Sequence, residues 1–217
     1  MSRYTVIGLG KFGGHVARRL YERGHEVVGI DSDERHVEDA RAHCTQVLLA
    51  DATDVDVLRS ATVSDSEAAV VSLGERMDAS ILTTLYLREL GVKRIVAKAV
   101  SPDHGKILGL IAPAHVVHPE IETAERVVKA LAAPSIIEYF PLGIDFSLVE
   151  LLAPAQFHGK SLGQLEIRQR HHVLVVAVKN ASRLELVPGG SYVVQSDDVL
   201  VVIGKDDDLE RLTHRVG

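Results

Sequence analysis

Three glycines near the N-terminus have the spacing of a phosphate-binding loop. The segment from Gly8 to Gly13 reads G-x-G-x-x-G, and it lies between a predicted strand and a predicted helix. In such a loop Gly8 permits a tight turn, Gly10 lets the backbone approach a phosphate, and Gly13 allows the helix to pack closely on the strand. The free N–H groups at the start of that helix would then face the phosphates of a nucleotide.

A carboxylate, Asp31, follows at the distance that this fingerprint requires. It ends the second predicted strand, about twenty residues after the glycines. A carboxylate there accepts hydrogen bonds from both ribose hydroxyls and would repel a 2′-phosphate, so NADP is disfavoured. Arg35 is interpreted as a solvated side chain and not as a phosphate contact. These residues predict an adenine-ribonucleotide site, and the alternative is the same fold with a vestigial site.

Further polar residues lie where the nucleotide is expected. Lys11 directly follows Gly10, and a cation there can reach a phosphate of its own or of a neighbouring subunit's nucleotide; it could equally be an ordinary surface lysine. Asp51 and Thr53 follow the third predicted strand, in the loop that flanks the adenine of a Rossmann fold. Alternatively Asp51 caps the next helix, with Thr53 or Asp54 sharing that role.

Two charged residues at the far side of the predicted sheet complete the candidate site. Lys98 lies inside the fifth strand, where a lysine is costly unless its ammonium is paired, so we expect a phosphate, ribose or acidic partner; the alternative is an edge strand with Lys98 in water. Glu120 lies in the first turn of a helix, where the dipole alone accounts for a carboxylate, but it could also help to hold a cation. The predicted cofactor-binding residues are Gly8, Gly10, Lys11, Phe12, Gly13, Asp31, Ser32, Asp33, Asp51, Ala52, Thr53 and Lys98, and the predicted metal ligand is Glu120.

The elements that must position these residues alternate between strand and helix over residues 1–118. Strands are predicted at Tyr4–Leu9, Glu26–Asp31, Gln46–Ala50, Ala68–Leu73, Arg94–Val100 and His115–Val117. Helices are predicted at Phe12–Arg23 and Asp33–His43, from Val55, at Asp78–Leu90, and from Pro102 to about Ala112. The strands are continuous apolar runs, which is typical of parallel strands covered on both faces. The pattern predicts an α/β fold with a doubly wound parallel sheet, of the Rossmann type.

The pattern changes after His118. Pro119–Ala132 is predicted to be helical, with a break at Pro134 and a second helical turn at Ser135–Tyr139 ended by Pro141. Strands are then predicted at Ser147–Leu152, Val173–Lys179, Leu184–Val187 and Val199–Ile203, with a turn at Pro188–Gly190 and a closing helix at Asp206–Arg215. We therefore predict a nucleotide-binding domain over 1–118, a helical connector or dimerisation element over 119–141, and a small α+β domain over 142–217.

Composition narrows the classes of function. The 217 residues carry a formal net charge of −6, which argues against non-specific binding of nucleic acid or anionic membranes. The single cysteine, Cys44, cannot form an internal disulfide, so a reducing cytoplasm is expected. No signal peptide and no apolar run of the roughly 20 residues that span a membrane is recognised, so a membrane role is expected to depend on a partner.

No sequence motif of a known catalytic set is found. The chain has no H-E-x-x-H, nucleophile elbow, cysteine cluster or P-loop, and we expect that it is not an enzyme. The alternatives are an NAD-linked dehydrogenase or nucleotide hydrolase, and an NAD(H)-responsive redox-sensing repressor. The acidic net charge and the lack of a basic helix–turn–helix argue against the repressor.

The order and spacing of these motifs resemble one family along essentially the whole chain. The segments that carry the resemblance are Val6–Gly14, Gly24–Val27, Ile30–Asp31, Ala50–Thr53 and Val117–Glu120, followed by Ser147–Leu152, Gly159–Leu162 and Ile167–Arg168. The chain resembles the cytoplasmic gating subunits of bacterial potassium-uptake channels of the KtrA and TrkA type, which are RCK proteins (regulators of potassium conductance).

The resemblance implies a function and an assembly. The first lobe would bind ATP, ADP or NAD(H), and a homodimer paired through connector helices would assemble into an octameric ring beneath a KtrB- or TrkH-like membrane channel, at the inner face of the plasma membrane. Exchange of ATP for ADP would change the shape of the ring and thereby gate the pore. Glu120 matches an acidic position that holds an activating divalent or monovalent cation between subunits. Lys11 stands where close relatives carry an arginine that reaches a neighbour's terminal phosphate, and lysine lacks the bidentate fork.

The resemblance also implies a second ligand, since the C-terminal lobes of KtrA-like relatives bind cyclic di-AMP as a dimer. Arg168 would contact the phosphates; taken by itself, it is a solvated charge before a strand. The other matching positions are Leu162, Gly163, Ile167, Val173 and Pro188. Position 163 is glycine where relatives carry a larger aliphatic residue.

Overall fold

A computed structural model of the chain describes residues 1–132 and 135–214. The chain divides into two compact units, Met1–Glu120 and Ile121–Gly217. Pro134 and Arg215, which were assigned to the helix break and to the closing helix, lie outside the described residues.

The first unit is built around a parallel sheet of six strands. The strands are β1 (Arg3–Ile7), β2 (Glu26–Asp31), β3 (Gln46–Leu49), β4 (Ala68–Val71), β5 (Ile95–Lys98) and β6 (His115–Val117). The helices are α1 (Lys11–Glu22), α2 (Glu34–Ala40), α3 (Val55–Ser60), α4 (Met77–Glu89) and α5 (Pro102–Ile111), and a 3-10 turn at Arg41–His43 continues α2. The strand order is β3-β2-β1-β4-β5-β6, which confirms the predicted doubly wound Rossmann-type fold.

The apolar strands explain why this sheet forms, and the strand order explains where a ligand crevice lies. Val6, Ile7, Val27, Val28 and Ile30 are all fully buried in β1 and β2, as strands covered by helices on both faces must be. β1 pairs in parallel with both β2 and β4, so the chain reverses its winding direction between β1 and β4. In open α/β sheets a ligand crevice forms outside the carboxyl ends of the strands at that point.

The second unit contains an antiparallel sheet of five strands in the order β10-β9-β11-β8-β7. The strands are β7 (Ile136–Gly143), β8 (Phe146–Leu152), β9 (Leu174–Asn180), β10 (Arg183–Leu186) and β11 (Val199–Lys205). The helices are α6 (Pro119–Ala132), which begins at the end of the first unit, α7 (Leu162–Leu165), α8 (Ile167–His171) and α9 (Asp206–His214). Its core includes Val149, Leu151, Phe157, Leu200 and Val202.

One predicted element is wrong. Ser135–Tyr139 does not form a helical turn, because Ile136–Gly143 pairs with β8 as an antiparallel strand. The strand lies at the edge of the sheet, where a proline such as Pro141 is tolerated because no neighbour needs its missing N–H group.

Candidate nucleotide site

Two of the three glycines, Gly8 in the loop after β1 and Gly13 in the first turn of α1, have no room for a side chain. Gly8 has a φ of +87°, and its N–H group donates a 2.8 Å hydrogen bond to the carbonyl of Ile30. A Cβ atom on Gly8 would lie 2.1 Å from the carbonyl oxygen of Ser72, and one on Gly13 would lie 1.8 Å from the carbonyl oxygen of Gly8. The fold therefore excludes side chains at both positions.

Gly10 differs from these two, because no protein atom crowds it. A Cβ atom there would meet only the His36 ring, at an ordinary contact distance of 3.7 Å, and the φ of −62° suits any residue. Helix α1 begins at Lys11 with neither a side-chain cap nor an acidic residue in its first turn. The first N–H groups of α1 are thus left for another acceptor, and the space beside Gly10 lets that acceptor come close.

Asp31 is held beside this loop at the end of β2. Its carboxylate accepts the N–H groups of Leu9 at 2.6 Å and Asp33 at 2.8 Å, and its Oδ2 lies 3.1 Å from Nδ1 of His36. The side chain is only 11% exposed. A carboxylate has about four acceptor positions, so at least one remains for a ribose hydroxyl.

The residues after Asp31 have structural partners of their own. Asp33 caps α2 by accepting the N–H group of Arg35, and the guanidinium of Arg35 pairs with the same carboxylate at 2.8 Å. These hydrogen bonds lower the pKa of Asp33 to about 2. Arg35 is thereby engaged within its own turn, while Ser32 is exposed beside it.

The loop after β3 folds around Asp51. Its carboxylate accepts both the N–H and the hydroxyl of Thr53 at 2.9 Å, which lowers the pKa of Asp51. Asp54 caps α3 by accepting the N–H group of Asp56, so the capping interpretation holds for Asp54 and not for Asp51. Ala52 is buried in the core. Asp51, which is half exposed, keeps one carboxylate oxygen 3.5 Å from Arg76 and accessible to a ligand.

Lys98, for which a phosphate, ribose or acidic partner was expected, pairs with Glu120, the predicted metal ligand. The ammonium of Lys98 donates a 2.5 Å hydrogen bond to Oε1 of Glu120 and lies 5.9 Å from the centre of the Phe12 ring. The Lys98 side chain is 13% exposed whereas that of Glu120 is 67% exposed, and the hydrogen bond lowers the pKa of Glu120. Since β5 pairs with both β4 and β6, the edge-strand interpretation of Lys98 is wrong.

The residues predicted for the second ligand come together in the second unit. A cavity of about 210 Å³ is lined by residues that include all six of them: Leu162, Gly163, Ile167, Arg168, Val173 and Pro188. Gly163 donates a 2.8 Å hydrogen bond to the carbonyl of Gly190, and a Cβ atom at position 163 would lie 3.0 Å from that same oxygen. A larger side chain at position 163 would therefore have to displace the turn that closes the cavity.

His36 is the residue that the sequence analysis missed. It lies in the first turn and a half of α2, and its ring reaches both the Asp31 carboxylate and the space beside Gly10. The sequence signal is a histidine five positions after the ribose carboxylate, which has meaning only once α2 is known to start at Glu34.

The described residues offer little support for a nucleophilic cysteine, a metal cluster or a membrane-spanning helix. Burial raises the pKa of the Cys44 thiol to about 11, so it stays protonated and is a poor nucleophile near neutral pH. Within residues 1–132 and 135–214, no three histidine, cysteine or carboxylate side chains are grouped as metal ligands. In the same residues, no helix is both long and apolar enough to cross a bilayer.

Comparison with known families matches nearly the whole chain. Residues 4–119 match the TrkA-N domain and residues 146–217 match the TrkA-C domain. The chain is 36% identical to the Ktr system potassium uptake protein C of Bacillus subtilis over 213 residues, which are 98% of this chain and 96% of the relative. It is 32% identical to the Ktr system potassium uptake protein A of the same organism over 209 residues, 96% of this chain and 94% of the relative.

Solved structures share the fold. The RCK domain of the GsuK channel covers 100% of this chain with a TM-score of 0.70 at 22% identity, and this chain corresponds to 48% of that protein. The GsuK channel bound to NAD gives a TM-score of 0.68, also at 22% identity, and 39% of that chain is covered.

Proposed function

This chain belongs to the TrkA-N and TrkA-C family, the RCK proteins of potassium-uptake systems, and we propose that it is a regulatory subunit whose first unit binds an adenine nucleotide and thereby controls a membrane potassium pore. The main support for nucleotide binding comes from the surroundings of Gly10. It has no side chain although the protein leaves room for one, and the uncapped start of α1 lies beside it. An approaching phosphate accounts for both features.

ATP or ADP is the proposed nucleotide, with NAD(H) as the alternative within the same site. Asp31 would bind the ribose with its remaining acceptor position, and the N–H groups of α1 would bind the phosphates. The NAD carried by the GsuK channel supports a nucleotide in this fold. Lys11, whose side chain is exposed, is placed to reach a phosphate at the loop or on a second copy.

A cation at Glu120 is proposed as a shared site. A hard cation such as Ca²⁺ takes about six to eight oxygen ligands, and Glu120 supplies one carboxylate. The remaining oxygens would come from nucleotide phosphates and from a second copy of the chain. Glu120 binds Lys98 through Oε1 in the structure, so it would offer a metal ion its other oxygen, or both oxygens if Lys98 moves to a phosphate.

The proposed assembly is a homodimer that forms an octameric ring on a KtrB- or TrkH-like pore subunit. The names of the B. subtilis relatives, potassium uptake proteins C and A, support the pore partner and its ion. For the cavity of the second unit we propose cyclic di-AMP, because Arg168 offers a cation to its phosphates and Leu162, Val173 and Pro188 offer apolar contact to its bases.

Calorimetric titration of the full chain with ATP, ADP, NAD and NADH tests the nucleotide. We expect ATP or ADP to bind tightly, Asp31→Ala to weaken that binding by at least about tenfold through loss of the ribose hydrogen bonds, and no turnover to occur. Asp103→Ala is the matched control, since this carboxylate is exposed on α5 and pairs with Lys106 in the same helix. Equal binding by Asp31→Ala and wild type would contradict the proposal, and steady oxidation of NADH would identify a dehydrogenase.

A further inference from the structure

A second groove lies between α1 and α2 and is lined by basic residues. It has a volume of about 300 Å³ and begins at Gly10. Its basic lining comprises Lys11, His15, Arg18, His36 and His43, against a single carboxylate, Asp39. Lys11 was predicted to bind a nucleotide phosphate, and His36 contacts Asp31, so these two lie where the groove meets the nucleotide site. The other residues of this lining have no part in the proposed nucleotide site.

The basic residues of α1 follow the helix repeat and so form a stripe along one face of the helix. Positions 11, 15 and 18 are spaced i, i+4 and i+7, which places them on one face of α1. The uncharged remainder of the lining consists of Leu9, Gly10, Gly14, Ala17 and Ala40. An occupant of the groove would therefore meet a row of basic groups along α1 with an apolar surface beside it.

The lysine and the arginine of this groove differ from neighbouring basic residues in their pairing. Within residues 1–132 and 135–214, neither Lys11 nor Arg18 makes an ion pair, whereas the adjacent Arg19 pairs with Glu22 at 2.9 Å. Arg41, next to α2, likewise pairs with Glu38 at 2.7 Å. In a chain with a net charge of −6, unpaired cations that line a groove indicate an anionic ligand.

We propose that this groove binds a linear phosphate chain that is free in solution, separately from the adenine nucleotide. Lys11 and Arg18 are seven residues apart, which corresponds to about 10 Å along the helix axis. A chain of several phosphates spans that distance, while a single phosphate does not. The groove is joined to the nucleotide site through His36, whose Nδ1 lies 3.1 Å from Asp31.

The test is calorimetric titration of the full chain with tripolyphosphate, with and without saturating ADP. We expect binding in both conditions, weakened at least about tenfold in Arg18→Gln because a charge-assisted hydrogen bond is lost. Arg19→Gln is the matched control, one residue along the same helix but outside the groove, and it should bind as the wild type does. Orthophosphate should bind at least about tenfold more weakly than tripolyphosphate, since it cannot reach both cations.

Three results would overturn the proposal. Equal affinity in Arg18→Gln and Arg19→Gln would show that the groove is not the site. Loss of tripolyphosphate binding when ADP is present would place the anion in the phosphate loop of the nucleotide. Orthophosphate binding as tightly as tripolyphosphate would exclude an elongated ligand. If the chain binds no ADP, the nucleotide proposal fails. The comparison of Arg18→Gln with Arg19→Gln would still show whether tripolyphosphate binds in the groove.

Discussion

Gly10, just before α1, and Gly13, in the first turn of α1, are three residues apart but are constrained by different atoms. Gly10→Ala places a methyl group 3.7 Å from His36, so the free energy of unfolding should change by less than about 0.5 kcal/mol. Nucleotide binding should weaken at least about tenfold, because the methyl group lies where the backbone would approach a phosphate. Gly13→Ala should cost more than about 2 kcal/mol, since its methyl group overlaps the Gly8 carbonyl.

Urea unfolding and titration with ADP measure both effects for this pair. A Gly10→Ala variant that is as stable as the wild type and binds ADP equally well would remove the main support for a nucleotide in this loop. A Gly13→Ala variant of unchanged stability would instead mean that the helix can move away from the strand.

Replacing Glu120 by glutamine should affect nucleotide binding in opposite directions with and without a divalent cation. Without the cation, Glu120→Gln releases Lys98 from its ion pair, so ADP should bind about two- to fivefold more tightly. With the cation, the variant has lost a metal ligand and should bind ADP more weakly than the wild type. Titration of ADP into both proteins, with EDTA or with Mg²⁺, gives the two comparisons.

Glu125→Gln is the matched control, because it removes an exposed carboxylate from the same helix. Tighter binding of ADP by Glu120→Gln in both conditions would rule out Glu120 as a cation ligand. Weaker binding in both conditions would show that the Lys98–Glu120 pair supports the site in its present form.

At the scale of single residues, the sequence identified which residues belong to the site more reliably than it identified which side chains contact each other. Asp31 was located by its distance from the glycines, and its contact with the loop follows from strand order alone. His36 was not found, because its contact with Asp31 depends on where α2 begins. An acidic partner was one expectation for Lys98. Glu120, 22 residues away in sequence, was not identified as that partner, because periodicity says nothing about side chains that meet across the ends of two elements.

At the scale of elements, long periodic segments were predictable and short or edge segments were not. The alternation of strands and helices through β6 follows the continuous apolar runs and the glycine-ended helices. β7 was missed although Ile136, Ile137, Tyr139 and Phe140 are residue types that favour strands, because Pro141 suggested a break. α7 and α8 have four and five residues, which is too short for a helical repeat to be recognised.

Helix α5 contains a buried histidine that should make stability depend on pH. His104 is 1% exposed, and its Nδ1 accepts a 3.3 Å hydrogen bond from the N–H group of Val100. Burial, and secondarily the nearby His118, lowers the pKa of His104 below its ordinary value of 6.5. The folded chain therefore holds this ring neutral at a pH where the unfolded chain would protonate it.

The sign of the effect follows from this difference in protons bound. Below about pH 6.5 the unfolded state binds more protons, so the free energy of unfolding should fall as the pH drops toward the lowered pKa of His104. Urea unfolding at about pH 7.5 and about pH 5.5 should show a smaller loss in His104→Gln than in the wild type. The difference between the two losses in the free energy of unfolding reports on His104, because the other titratable groups are the same in both proteins. Identical losses would contradict the prediction.

At the scale of the whole molecule, composition and alternation specified a Rossmann-type unit followed by a smaller one, but not the layout of the second. Continuous apolar strands can be covered only by helices on both faces, which leaves few arrangements for the first unit. Short antiparallel strands with exposed faces are compatible with several orders, so the order β10-β9-β11-β8-β7 could not be derived. The glycine spacing and Asp31 predicted an adenine nucleotide, but the choice between ATP, ADP and NAD(H) could not be derived from the sequence.

A surface for a second copy of the chain is expected on α6. Ile121, Val128 and Leu131 are 40%, 62% and 76% exposed and lie at i, i+7 and i+10, on one face of the helix. Apolar stripes of this kind normally pack against another element. Val128→Glu should therefore reduce the mass of the assembly measured by light scattering, while the free energy of unfolding changes by less than about 0.5 kcal/mol because Val128 is exposed.

Glu125→Gln changes the charge of the same helix by one unit in the opposite direction, without adding a charge to the apolar face, and should leave the mass unaltered. A smaller mass with normal unfolding would locate the pairing surface on α6, and the proposed ring would then be built from pairs joined there. An unchanged mass in Val128→Glu would argue against this surface. Pairing would then have to use another exposed apolar region, of which β10, with Leu184 at 61% and Leu186 at 70% exposure, is the strongest candidate.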